Sequence, residues 1–328
     1  MSALLDQLKF DPNLQTGYGK RGYNWEFSAG VQQQLSRRMS LDVGFFRRWY
    51  GNFQVVDNLA LNTATDFNYI NIQAPADSRL PGGGNYLVTG FPVVKPSVGF
   101  GGFVTNQNVV KLSDDVGRQI QHWNGIDVNL NWRQQSGFFA AGGFSTGRTS
   151  TDNCDIVAKL PEVAYESNNF FSPFFFQTIP TQYCKRDGVF LTQVKASAGY
   201  TLPKVDVLIA GTYQDLPGVD VTARYNVPFL PNVGGLQMLP GLNSYHIIEP
   251  GQETGGRLHQ LDLRFSKILK AGRTRTLVGL DIYNAFNVDT ITGQDNLYTP
   301  VPGGQAVWQV PNLILQARFI KISAQFDF

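Results

Sequence analysis

The sequence predicts an all-β protein, an antiparallel up-and-down transmembrane β-barrel that is incomplete, with about nine long strands. Three observations lead there. Aromatic residues make up 13% with Phe dominant, Gly reaches 34 and charged residues fall to 16%, a mixture that favours strands and turns over helices. Segments of strand length alternate apolar and polar side chains, as a pleat with two unlike faces demands. The connections between them alternate short and long, the layout of a barrel with tight turns at one rim and long loops at the other.

The strands follow in order. NWEFSAGVQQQL places Trp25, Phe27, Ala29, Val31 and Leu35 on one face. After the turn SRR, MSLDVGFFRRWY sets Met39, Leu41, Val43, Phe45 and Trp49 against Ser40, Asp42, Gly44 and Arg48, so the two segments read as a hairpin. From Gly51 to about Val116 the pattern dissolves into Gly, Pro and Asn, an excursion far longer than the usual loop. HWNGIDVNLNWRQQ then sets Ile126, Val128, Leu130 and Trp132 against Asp127, Asn129, Asn131 and Arg133, and a turn at QQSG leads into FFAAGGFSTGRT.

A polar segment from Ser150 to Asp187 holds both cysteines and the aromatic run Phe170 to Phe176. It precedes VFLTQVKASAGY, the turn TLPK and VDVLIAGTYQ. A third long segment, Asp215 to Gly256, leads to RLHQLDLRFSKIL, the turn KAGR and TRTLVGLDIYNAF. After a last Asn/Pro/Gly-rich stretch the chain ends on RFIKISAQFDF, where Ile320, Ile322, Ala324, Phe326 and Phe328 alternate with Lys321, Ser323, Gln325 and Asp327. A soluble domain would leave such oily faces as large patches in water, which argues against a soluble β-rich binding domain or carbohydrate-active enzyme.

Net charge is +2, so no global field recruits nucleic acid, and no apolar run is long enough for a membrane helix. Strands that cross a membrane escape that last criterion. The three histidines, His122, His246 and His259, lack metal spacing and read as ordinary strand or loop residues. The clusters Gly82 to Gly84 and Gly99, Gly101, Gly102 open no helix and read as loop punctuation. Asp114 and Asp115 read as a solvated acidic loop. No catalytic, cofactor-binding or metal-binding residue is expected, and no enzyme. Cys154 and Cys184 lack CxxC spacing and suit one disulfide or two free thiols; an oxidising compartment favours the bridge. The Phe170 to Phe176 run has three readings, internal loop packing, ligand contact or part of an aromatic girdle, of which packing is preferred. The charges Asp42, Arg48, Asp127, Arg133, Asp262, Arg264 and Asp281 belong on the inward face, because each would be costly in hydrocarbon.

The stretches HWNGIDVNLNWR, STGRTSTDNCD with YCKRDGVFLTQVK, RLHQLDLRFSKILKAGRTRTLVGLDIYNAFN and VPNLILQARFIKISAQFDF together resemble the C-terminal part of TonB-dependent outer-membrane receptors. The resemblance is to the Oar-like receptors with a carboxypeptidase-regulatory-like domain found in acidobacteria and relatives. It implies residues 24–328 as the C-terminal portion of a receptor barrel of roughly 22 strands, with residues 1–23 the remnant of a preceding loop or an irregular start. It also implies location in the outer membrane and energised nutrient uptake of the siderophore, saccharide or peptide class. The implied partners are outer-membrane lipid, the barrel-assembly machinery, a plug domain and the TonB complex. In that family the terminal aromatic strand is the assembly signal, which falls here on Ile320, Ile322, Ala324, Phe326 and Phe328. The N-terminus shows no export signal, so the expectation is a fragment lacking plug and earlier strands. The alternative is a stand-alone outer-membrane barrel or adhesin.

Overall fold

The computed structural model describes residues 8–95, 97–100, 103–104, 107–167, 176–227, 243–271 and 274–327. Nine long strands appear where the alternation places them: β1 (Tyr23–Ser36), β2 (Met39–Gly51), β3 (Ile120–Arg133), β4 (Phe138–Asp152), β5 (Gln193–Leu202), β6 (Val207–Leu216), β7 (Leu258–Ala271), β8 (Thr274–Tyr283) and β9 (Phe319–Asp327). They hydrogen-bond strictly in chain order and every neighbouring pair is antiparallel. Among the described residues β1 pairs within this sheet only with β2, and β9 only with β8, so the barrel is not closed.

Strand direction reverses at each step, so the short turns gather at one rim and the four long connections at the other. The register aligns like with like. Val31, Val43, Val128, Phe144 and Val194 run across β1 to β5 on one face, and Ile209, Phe265, Leu280 and Ile322 run across β6 to β9. A one-residue slip anywhere would send the oily set to the polar face, which is why the pattern specifies the register. On the polar face Trp123 lies over Gly125 and Gly147, where an added Cβ would collide with its ring.

β5 starts at Gln193, later than the sequence suggests at Val189. Leu191 N still donates to Gly147 O of β4 (2.9 Å), in register with the ladder, but Val189 N turns away to Gly251 O (3.0 Å) in the third connection. β8 stops at Tyr283, and Asn284 turns the chain with φ 50° while its buried amide donates to Val288 O (2.8 Å) and Gln316 O (2.9 Å).

The hydrophobic core is not in the wall. Among the described residues every buried hydrophobic side chain lies outside the nine strands. The long connections instead fold together into a cap. The first contributes a hairpin, Phe67–Gln73 with Leu87–Val94, that buries Ile70, Ile72, Val88 and Phe91; the third adds Val221, Tyr245 and Ile247, and the last adds Tyr298 and Trp308. Phe91 meets Tyr245 edge to face at 5.1 Å. A five-stranded sheet ties the second, third and last connections together, in the order Tyr165–Ser167, Phe176–Thr178, Asn243–His246, Arg224–Asn226, Leu297–Tyr298.

A second cluster packs Val55 of the first connection on Ile156 and Leu160 of the second. Before β1, Leu8–Phe10 pairs in parallel with Asn108–Val110 of the first connection, and Asp11 caps the short helix Pro12–Gln15 by accepting from Asn13 N (2.8 Å).

Candidate functional site

The structure offers three surfaces: an oily outer face, a polar inner face and the cap. The oily face is exposed along the whole wall, with Trp25 at 64%, Val31 at 67% and Ile322 at 78%. On β9, Ile320, Ile322, Ala324 and Phe326 lie on this face opposite Ile282, Leu280, Val278 and Thr276 of β8. Phe328 lies outside the described residues.

The seven charges assigned inward share the opposite face. Arg264 pairs with Asp281 across β7 and β8 at 3.6 Å, and Arg48 pairs with Glu26, a partner the sequence reading did not name. Asp262 accepts from Gln260 Nε2 (2.9 Å) and from Asn284 N (2.8 Å), while Gln214 donates to Gln260 (2.9 Å). Beside this network a groove of about 470 Å³ runs over β3 to β6, lined by Asp127, Asn129, Asn131, Ser145, Lys195 and Ser197 among others. Gly143 opens it: a Cβ there would strike the Val128 carbonyl and Asn129. Asp127 Oδ1 is buried with no hydrogen-bond partner. Donors and acceptors of both signs make this a surface for another polar surface, since a buried unpaired acceptor costs about 1 to 3 kcal/mol until it finds a donor.

In the cap, Arg79 forks onto Asp77, Nε to Oδ1 at 3.0 Å and Nη2 to Oδ2 at 2.7 Å, and Tyr298 donates to the same carboxylate at 3.0 Å. Arg79 also donates to the carbonyls of Ala306 and Trp308, and its guanidinium lies 5.5 Å from the Trp308 ring centre. One arginine thus joins the first connection to the last. These residues carry no motif, and the sequence reads the whole first excursion as loop; the brief apolar runs FNYINIQ and LVTGFPVV inside it are the one local trace of the hairpin, and they do not indicate its partners.

The Arg79 bonds hold the Asp77 carboxyl down at about 2, and burial lowers His246 to about 4, aided by Arg224 and Arg186. Both folded values are depressed. The Asp77 contribution is therefore complete above the ordinary carboxylate value and is lost as pH falls through about 2; that of His246 is complete above about 6.5 and is lost as pH falls toward about 4. The cap is expected to loosen progressively in acid, and Asp77→Asn to cost it about 2 kcal/mol at neutral pH while flattening the lower part of that pH dependence. Urea midpoints followed by Trp308 fluorescence from pH 7 to the acid limit measure both; an unchanged midpoint in the variant refutes the role of the pair.

Cys154 and Cys184 are joined in a disulfide with Cα atoms 4.8 Å apart. The aromatic run lies outside the described residues over Phe170 to Pro173 and on to Phe175. Gly82 to Gly84 close the hairpin through the 3-10 turn Pro81–Gly83. Gly99 pairs with Val104, while Gly101 and Gly102 lie outside the described residues. Asp114 and Asp115 are exposed in the 3-10 turn Ser113–Asp115. His122 lies on the oily face near the cap, His246 within the cap, and His259 beside Asp215 (3.6 Å) and Tyr213 (3.3 Å). No metal-competent group of three His, Cys, Asp or Glu exists among the described residues.

No family model and no curated protein matches the chain. Solved structures similar to it include the outer membrane transporter YddB from Escherichia coli, at 9% identity and a TM-score of 0.43 over 92% of this chain and 32% of that one. The ferric enterobactin receptor PfeA from Pseudomonas aeruginosa aligns at 11% identity and a TM-score of 0.40, over 94% of this chain and 35% of that one. The copper transporter OprC aligns at 10% identity and a TM-score of 0.29, over 79% and 38%. The chain spans about a third of the length of these structures.

Proposed function

We propose that residues 24–328 form part of the wall and the outer cap of a TonB-dependent outer-membrane receptor, a transport protein and not an enzyme. The observation that carries the membrane reading is where the apolar residues lie: exposed in register along one face of nine strands and, among the described residues, buried only outside those strands. Lipid is the solvent that such a face suits, because water would leave it a single large patch. The receptor identity rests on the sequence resemblance carried by LDLRFSK, LDIYNAFN and the terminal aromatic strand. In the complete receptor the groove at Asp127 and Lys195 faces a plug domain, the TonB complex energises uptake, and β9 is read by the barrel-assembly machinery. The cargo falls in the siderophore, saccharide or peptide class, and residues 1–23 are the remnant of a preceding extracellular loop or an irregular start.

Single cysteines test the lipid contact in outer-membrane vesicles with a water-soluble maleimide. Val31→Cys and Leu130→Cys should label only after detergent is added, and Gln32→Cys without it; equal labelling on both faces would sink the membrane reading. A photo-crosslinker at Ser197 in the complete receptor should capture plug residues. A stand-alone barrel or adhesin gives no such product.

A further inference from the structure

The oily face is interrupted at one level. Across β2, β3 and β4 the register sets Arg47 beside Asn124 beside Arg148, and all three belong to the face of Phe45, Ile126 and Phe144. Arg47 is exposed and donates to Asn124 Oδ1 at 3.1 Å; Arg148 lies 5.1 Å from the ring centre of the exposed Phe190. Neither guanidinium has a salt bridge among the described residues. Two strand spacings separate them, about 10 Å.

Their height on the wall is informative. From Trp132, near the short-turn rim, to Asn124 the chain climbs about 27 Å along β3, or about 20 Å along the membrane normal at the usual ~40° tilt. Trp25, Trp49 and His122 occupy the next row up. The two arginines therefore stand at the boundary between hydrocarbon and headgroups on the cap side, where a cation is cheap and a phosphate is the anion within reach. Lys185 adds positive charge just above them, and Asp187, opposite Ser150, takes its hydroxyl hydrogen bond and offsets part of the charge of Arg148, leaving Arg47 the less compensated of the two cations. We propose that Arg47, Asn124 and Arg148 form a docking site for the phosphate groups of an anionic lipid in the leaflet on the cap side. The site rests on the membrane reading above, and it adds a specific lipid partner to it.

The test uses the full chain in detergent, with diphosphoryl lipid A as the probe and native mass spectrometry as the readout. Arg47→Gln with Arg148→Gln should reduce retained lipid about ten-fold or more, Arg47→Lys with Arg148→Lys should reduce it less, and lipid A stripped of its phosphates should bind weakly to all. Retention that ignores either the glutamines or the phosphates overturns the proposal, as does competition by millimolar inorganic phosphate, which would mark a site for free anions. Maleimide labelling of Leu130→Cys in outer-membrane vesicles, without detergent, in the parent and the glutamine variant separates the two failures. A shielded Leu130→Cys with unchanged lipid retention removes the lipid site and leaves the membrane reading standing; a freely labelled one in the parent removes both.

Discussion

Replacing Cys154 and Cys184 by serine lowers the unfolding free energy of the cap by about 3 to 4 kcal/mol, the loop-closure value for a loop of this length, where the two cysteines are 30 residues apart. The loss is expected through the unfolded state, because the folded geometry has other supports. Asn153 N donates to Cys184 O at 3.0 Å, and residues Lys185–Asp187 continue the ladder on Ser150 to Asp152. What the bridge holds matters for both clusters of the cap. The helix Cys154–Lys159 buries Ile156 against Val55, and Tyr183, beside Cys184, packs on the other cluster and donates to Ile247 O at 3.3 Å. Trp308 reports the result, since Trp25, Trp49, Trp123 and Trp132 all sit on wall strands. The Trp308 transition should move to lower urea while the wall transition stays in place. A cap midpoint that ignores both the serines and added thiol would show that the bridge stabilises nothing.

Val128→Arg is the second large effect. Val128 lies between Val43 and Phe144 in the middle of the oily band, where a basic side chain costs about 2 to 4 kcal/mol at the bilayer midplane. The expected outcome is a fall in the fraction of chain folded into membranes, read by resistance to protease in outer-membrane vesicles. Ser197→Arg is the control. Ser197 lies between Ala141 and Thr212 on the groove side, and there the same charge should change insertion little. Equal losses at the two sites would mean that the faces do not meet different solvents.

The contrast between wall and cap marks how much the sequence reveals. All nine wall strands were legible, because a strand between two unlike solvents writes its period into neighbouring residues: Ile126, Val128, Leu130 and Trp132 against Asp127, Asn129, Asn131 and Arg133 need no knowledge of the rest of the chain. Neighbouring strands followed from the same signal, since a short turn joins each hairpin and a one-residue slip would set oil against the polar face. The cap was not legible. Phe67 to Val94 reads as an excursion rich in Gly and Pro, yet it contains fully buried side chains, with Phe91 and Val88 at 0% exposure. Arg79 finds Ala306 and Trp308 more than two hundred residues away, and Tyr86 donates to Ile247 O at 2.9 Å.

The seven inward charges show the boundary within a single strand. Alternation alone assigned Arg48, Arg264 and Asp281 to the polar face. Only the pairing of β1 with β2 put Glu26 beside Arg48, and only the pairing of β7 with β8 put Asp281 beside Arg264. The row of Arg47, Asn124 and Arg148 emerged in the same way: three unremarkable residues on three strands become one patch when the register aligns them. By itself, then, the sequence determined the strands, their two faces and the alternation of short and long connections, all of which are local consequences of side-chain period and turn chemistry. Tertiary structure alone decided that the long connections share a core and which charges meet, because burial and ion pairing depend on contacts between distant residues that no local pattern records.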